Sequence, residues 1–150
     1  MSGIVGSAGS KSGVIGTTEL DYETGTFSPG ISGTGSGGNY GHSTTKGTYV
    51  KIGKCVTFNI EIAMASDADG GNGDARISSL PFAVSYCDAG QGIGFAGSWD
   101  APEPDAWRAA PSATAITLTR HDTNGYWYNY AASYLANNSY IELSGSYICV

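Results

Sequence analysis

Glu103 and Asp105 are the residues of this sequence whose types and spacing come nearest to bond-cleaving chemistry. Two carboxylates flanking a glycosidic bond can act as acid and as base or nucleophile. Here they sit one residue apart inside WDAPEPDAWRAAP, residues 99–111, among three prolines. No apolar strand adjoins them to raise a carboxyl pKa, so both read as solvated charges. His121-Asp122 could supply a base and its orienting acid, but His42 is the only other histidine. A Ser-His-Asp triad is therefore poorly supported, and neither a GxSxG elbow nor a phosphate-cradling loop occurs. The expectation is a protein with no catalytic residues, not an enzyme.

Binding chemistry is better represented. Asp67-Ala68-Asp69-Gly70-Gly71-Asn72-Gly73-Asp74 has the composition of a calcium loop. An EF-hand needs oxygen ligands at positions 1, 3 and 5, Gly at 6 and Glu at 12. Counting from Asp67, those last three places hold Gly71, Asn72 and Ser78, so the pattern fails. An irregular site from Asp67, Asp69, Asn72 and Asp74 gives way to the simpler reading of a solvated turn. No metal and no cofactor are expected.

Aromatic residues gather in the second half: Trp99, Trp107, Tyr126, Trp127, Tyr128, Tyr130 and Tyr134. Aromatic faces stack on the apolar side of a pyranose while carboxylates and amides bond its hydroxyls. Trp99, Asp100, Glu103, Asp105, Trp107, Arg108, Asn124 and Trp127 are accordingly the candidate receptor or glycan contacts. Alternation puts Tyr126, Tyr128 and Tyr130 on one face and Trp127 and Asn129 on the other. One of those faces is expected to be core or a subunit contact, because interfaces are also rich in Tyr and Trp. The segment from Trp99 to Arg108 is irregular and so expected to be free of packing duties.

These residues need a frame, and the frame reads as β-structure. Val56, Phe58, Ile60, Ile62 and Met64 fall on one face of a run whose other face is Cys55, Thr57, Asn59, Glu61 and Ala63. A period of two is a half-buried strand, whereas a helix would repeat every three or four. Lys46–Lys54 predicts a strand reaching a tight turn at Ile52-Gly53, and residues 75–80 a strand ending at Pro81. Residues 30–41 predict a mobile glycine-rich loop. Thr114–Arg120 alternates, His121–Gly125 supplies an Asn-Gly hairpin turn, and Asn137-Asn138 another turn. Ser139–Val150 closes the chain as a strand. Eight to ten strands at this spacing predict an all-β fold, an antiparallel β-sandwich or jelly roll.

Composition narrows the classes. With 150 residues one domain is expected, and 23 glycines weigh against long helices. Charged residues are only 13%, and the net charge of −6 comes with no Lys/Arg run, so nucleic acid would be repelled. No stretch approaches the roughly 20 apolar residues of a membrane span, and no basic-then-apolar leader opens the chain. Cys55, Cys87 and Cys149 exclude a four-cysteine zinc site; one disulfide is open, three buried thiols the preferred reading. Residues 1–18 contain a near-repeat, SGIVGS then SGVIGT, ten positions apart. Ile4, Val5, Val14 and Ile15 read as the plugs of an extended anchoring arm, because a linker needs no such apolar pairs. Residues 19–150 form the β-sandwich domain.

Three stretches carry a resemblance. Asp21–Pro29 resembles the DYE-x-G-x-(aromatic)-x-P opening of the small β-sandwich at the distal end of tailed-bacteriophage fibre proteins. Tyr49-Val50-Lys51-Ile52-Gly53 resembles that domain's strand into a glycine turn. Leu80-Pro81-Phe82 resembles its GLPF element, with Ser79 where glycine is usual. The resemblance implies a homotrimer on the virion surface, a fibre- or spike-type subunit contacting host polysaccharide. The arm of residues 1–18, read from its apolar pairs, is the expected contact with other tail or capsid proteins. A short subunit with a plug-like arm equally suits a decoration protein cementing a phage head.

Overall fold

The structure, a computed structural model, describes residues 21–86, 90–91, 93–95, 105–109, 112–135 and 140–150. The arm with Ile4, Val5, Val14 and Ile15 and the turn at Asn137-Asn138 lie outside these residues, as does Cys87. In chain order the strands are β1 (Tyr22–Phe27), β2 (Gly30–Gly33), β3 (His42–Ile52), β4 (Cys55–Met64), β5 (Ala75–Ser78) and β6 (Val84–Tyr86). They continue as β7 (Gly90–Gln91), β8 (Ile93–Phe95), β9 (Ala106–Ala109), β10 (Ile116–His121), β11 (Trp127–Asn129) and β12 (Tyr140–Cys149). A 3-10 turn spans Ala132–Tyr134. The chain is the antiparallel β-sandwich that the alternation predicts.

Among the described residues each sheet has six strands. The first runs β1-β3-β4-β12, with β6 and β8 pairing successive parts of β12's far edge. The second runs β2-β5-β10-β9-β7, with β11 continuing β5's side of β10. Alternation decides what lies between the sheets. Val56, Phe58, Ile60, Ile62 and Met64 of β4 are all buried, and their odd-numbered neighbours face outward. Ile141, Leu143 and Tyr147 of β12 join them in register with Ile62, Ile60 and Val56. From the second sheet come Ile31, Ile77, Ile116, Leu118 and Trp107.

Trp107 is a correction to the expected receptor loop. Residues 106–109 are a strand, and the Trp107 indole is fully buried between the sheets. It packs against Phe58 with ring centroids 5.5 Å apart, and its Nε1–H donates to the Ser144 carbonyl at 3.3 Å. Gly145 lies under the ring, and a Cβ there would collide with the indole. The prolines around this tryptophan suggest a loop, but pairing of β9 with β10 overrides them.

Residues 34–41 are also better held than their glycines suggest. Gly35 N–H donates to the Asn72 carbonyl and Asn39 exchanges two backbone hydrogen bonds with Asp69. Gly38, at φ +88, lies so close to Gly71 that a Cβ would strike its backbone. Glycine here lets two backbones touch, which is the opposite of mobility.

The resembling segments do structural work. Lys51 sits between the Asp21 carboxylate at 2.6 Å and the Phe82 ring at 5.6 Å. The Tyr49 hydroxyl donates to Glu23 at 2.6 Å while its ring meets Phe82 edge-on, centroids 5.3 Å apart. Tyr147 fastens the Leu80-Pro81-Phe82 segment: its hydroxyl donates to the Phe82 carbonyl at 3.0 Å and accepts from the Phe82 N–H. Burial pushes the Tyr147 phenol up to about 12. Ser79, at φ 65, is in the left-handed region that favours glycine, which gives a physical reason for glycine at this place in the fibre domains. Ser79→Gly is expected to raise stability by about 1 kcal/mol, read as a higher urea midpoint at unchanged m-value.

The thiols depart from the buried reading. Cys149 is buried, but Cys55 is exposed, on the outer face of β4. Its register neighbours make a row across four strands: Tyr22, Ile52, Cys55 and Ile148. Tyr22, Ile52 and Ile148 are 61%, 48% and 42% exposed, so the row is an apolar strip open to solvent.

Candidate functional site

The β10–β11 hairpin carries the exposed aromatics, and its turn is built by one carboxylate. Asp122 Oδ1 accepts the backbone N–H of Asn124 at 2.8 Å and of Tyr126 at 2.9 Å. Gly125 N–H donates to the Asp122 carbonyl, and Gly125 takes φ +80. This is a three-residue loop closed by a left-handed glycine, so the Asn-Gly pair turns the chain without a two-residue loop. The N–H of Tyr126 above all, with the Asn124 amides and Arg120, holds the Asp122 carboxyl below the usual carboxylate range. A depressed folded pKa gives stability that is present above the unfolded value and lost as pH falls through the folded one. The hairpin amides are therefore expected to keep their NMR shifts from neutrality down through the ordinary carboxylate range. They should change only below it, and Asp122→Ala should abolish the transition.

Beyond the turn neither alternating face enters the chain's own core before Tyr130. Tyr126, Trp127 and Tyr128 are 65%, 51% and 48% exposed, and only Tyr130 enters the core. What holds the ring of Trp127 is His121, its register partner on β10, with centroids 3.8 Å apart. His121 is fixed in turn by Asp105, whose Oδ2 accepts both the backbone N–H at 3.0 Å and Nδ1 at 2.7 Å. An ionised carboxylate can only accept, so Nδ1–H is the donor to Asp105. On the hairpin's other face the Arg120 guanidinium lies over Tyr128 at 5.8 Å. Three adjacent rings are thus presented to solvent on a pinned two-stranded ribbon.

Of the expected contacts, Asp105 and Trp127 come together through His121, which sequence reasoning did not assign to the site. The clue was available: strand alternation across the His121–Gly125 turn places His121 beside Trp127. Asn124 is exposed on the turn and Arg108 is exposed on β9. Trp107 is core, as described. Trp99, Asp100 and Glu103 lie outside the described residues, so Glu103 is not placed beside Asp105. The Asp67–Asp74 loop is taken up by packing: Asn72 donates to the Ser36 carbonyl and Asp74 accepts from Asn129 at 2.7 Å. Among the described residues no three His, Cys, Asp or Glu side chains converge as metal ligands.

Fixed aromatic faces beside amides and a guanidinium suit stacking on a sugar ring more than proton transfer. No protein-family model and no curated protein matches the sequence. Among solved structures the chain is similar to the crystal structure of the Dettilon tailspike protein, with a TM-score of 0.61 and 18% identity. The match covers 84% of this chain and 23% of that one, so the chain spans less than a quarter of the tailspike's length. At that identity the likeness is one of fold.

Proposed function

We propose that this chain is the β-sandwich of a tail-type bacteriophage surface protein, carried on the virion, that binds host-surface glycan without cleaving it. The observation that carries the reading is the run Tyr126-Trp127-Tyr128, exposed on a hairpin that Asp105 and His121 hold in place. Three exposed aromatics in a row are a poor choice for a surface with no ligand. The tailspike fold likeness and the resembling segments around Asp21, Tyr49 and Leu80 support the phage context. A glycan array with the purified chain tests it: retention of a bacterial surface polysaccharide is expected, with no new reducing ends released. An array blank across bacterial glycans would end the binding reading, and depolymerisation would end the non-enzymatic one.

Self-association into a homotrimer is part of the same proposal, supported by the open apolar strip Tyr22-Ile52-Cys55-Ile148. Ile52→Asp with Ile148→Asp is expected to yield monomers by light scattering; an unchanged mass excludes this face. The strip also suits a decoration protein on a phage head, anchored by residues 1–18. Loss of head binding on deleting those residues would favour that second reading.

A further inference from the structure

The outer face of the second sheet carries cations that nothing described neutralises. Lys46 pairs with Glu61, Lys51 with Asp21, and Arg120 lies over Tyr128. Arg76 and Arg108 have neither an ion pair nor a ring contact among the described residues, and both are exposed. They are not scattered. Thr117 of β10 is the register partner of Arg76 on β5 and of Arg108 on β9. The two arginines therefore flank one residue, their backbones two strand spacings or about 10 Å apart. Both point away from the core, because Ile77 and Trp107 beside them point into it.

The same face leads to the aromatic site. Thr119, His121 and Thr117 alternate along β10 on the outer side, and Trp127 and Asn129 share that side of β11. Thr117 and His121 are four residues apart, or roughly 13 Å along the strand. Between them Thr119 is only 4% exposed, and its hydroxyl has no hydrogen-bond partner among the described residues. One sheet face thus offers a stacking platform at one end and two guanidinium groups at the other.

We propose that the ligand of this face is an acidic saccharide, stacked on Trp127 and carrying carboxylate or phosphate groups to Arg76 and Arg108. The assignment rests on the glycan-binding reading above and names its chemical class. Guanidinium groups match both acid groups with paired N–H donors and carry their charge at any physiological pH. On a chain of net charge −6, the two arginines share this face with the Asp74 and Asp105 carboxylates, but those are engaged by Asn129 and His121. Nucleic acid, charged at every nucleotide along its length, would meet the surrounding negative field, whereas a short acidic saccharide seated on this face brings its acid groups to the two arginines.

Retention of the intact chain on oligogalacturonate, phosphomannan and neutral dextran, with single-stranded DNA as competitor, tests the proposal. Acidic saccharide is expected to bind at least tenfold better than dextran, and the stronger of the two acidic arms names the acid group. Raising salt from about 0.05 to 0.5 M should erase most of that preference. Arg76→Gln with Arg108→Gln should bring the acidic-to-neutral ratio close to one, while Lys46→Gln with Lys54→Gln, an equal loss of two charges on the first sheet, should not. Both arginines are exposed, and a thermal scan checks that the double variant is folded. Dextran binding as strong as the acids overturns the acidic assignment and leaves glycan binding standing, as does a ratio that survives the double variant. DNA displacing the saccharide at equal charge overturns it as well. No retention on any glycan overturns both.

Discussion

Trp107→Ala is expected to cost about 3–5 kcal/mol, the range for emptying a well-packed aromatic site. A domain of this size has about 5–15 kcal/mol in all, so the variant should populate unfolded chain at 37 °C. The indole is fully buried, packs on Phe58 and gives its N–H to the Ser144 carbonyl. Truncation therefore loses apolar burial, leaves a cavity between the sheets and removes the hydrogen bond to the Ser144 carbonyl. Gly145→Val should be comparably harmful for the opposite reason, since its side chain would be driven into the same ring. The two changes are coupled. With the indole gone, the added valine has room, so the double variant should lose clearly less than the sum of the singles. Urea midpoints of the four proteins decide it. A strictly additive pair, or a Trp107→Ala loss under 1 kcal/mol, would show that the tryptophan does not bridge the sheets.

Trp127→Ala is expected to leave folding almost untouched and to weaken glycan retention by roughly 30-fold. Half of the Trp127 surface is already in water, and its ring packs against His121. An aromatic anchor in a binding surface typically costs about 2 kcal/mol or more on truncation, which is the stated factor. Its thermal midpoint should move by no more than about 2 °C, in contrast to Trp107→Ala. His121→Ala should give a smaller loss of the same kind, because it removes the support of the ring and not the ring. Binding unchanged in Trp127→Ala would move the ligand away from this hairpin. Loss of binding together with a large drop in midpoint would make Trp127 a structural residue.

The contrast between these two tryptophans measures how far the sequence could be read. Both stand near charged and polar neighbours, and both were grouped as candidate sugar contacts. The prolines before and after Trp107 are a sound local signal for a loop, but a local signal cannot know that Gly145, far along the chain, leaves a space of the right depth. Trp127 follows a turn whose Asp, Asn and Gly are recognisable by type, so its place on a returning strand was legible. Its exposure was not. The same limit explains residues 34–41, where glycines that look permissive are there because Gly71 presses against Gly38.

What the sequence by itself determined is whatever depends on neighbours within one strand or one turn. Alternation from Val56 to Met64 assigned an inward and an outward face, and those five side chains are buried. The hairpin after His121, the strand end near Pro81 and the all-β class follow from the same short-range sterics and periodicity. Only the tertiary structure decided which outward faces stay open, because that depends on pairing between strands distant in sequence. It placed Arg76 and Arg108 on either side of Thr117, set His121 against Trp127, and put Trp107 in the core. Side-chain direction is fixed by a period of two, but solvent access is fixed by what the sheet is laid against.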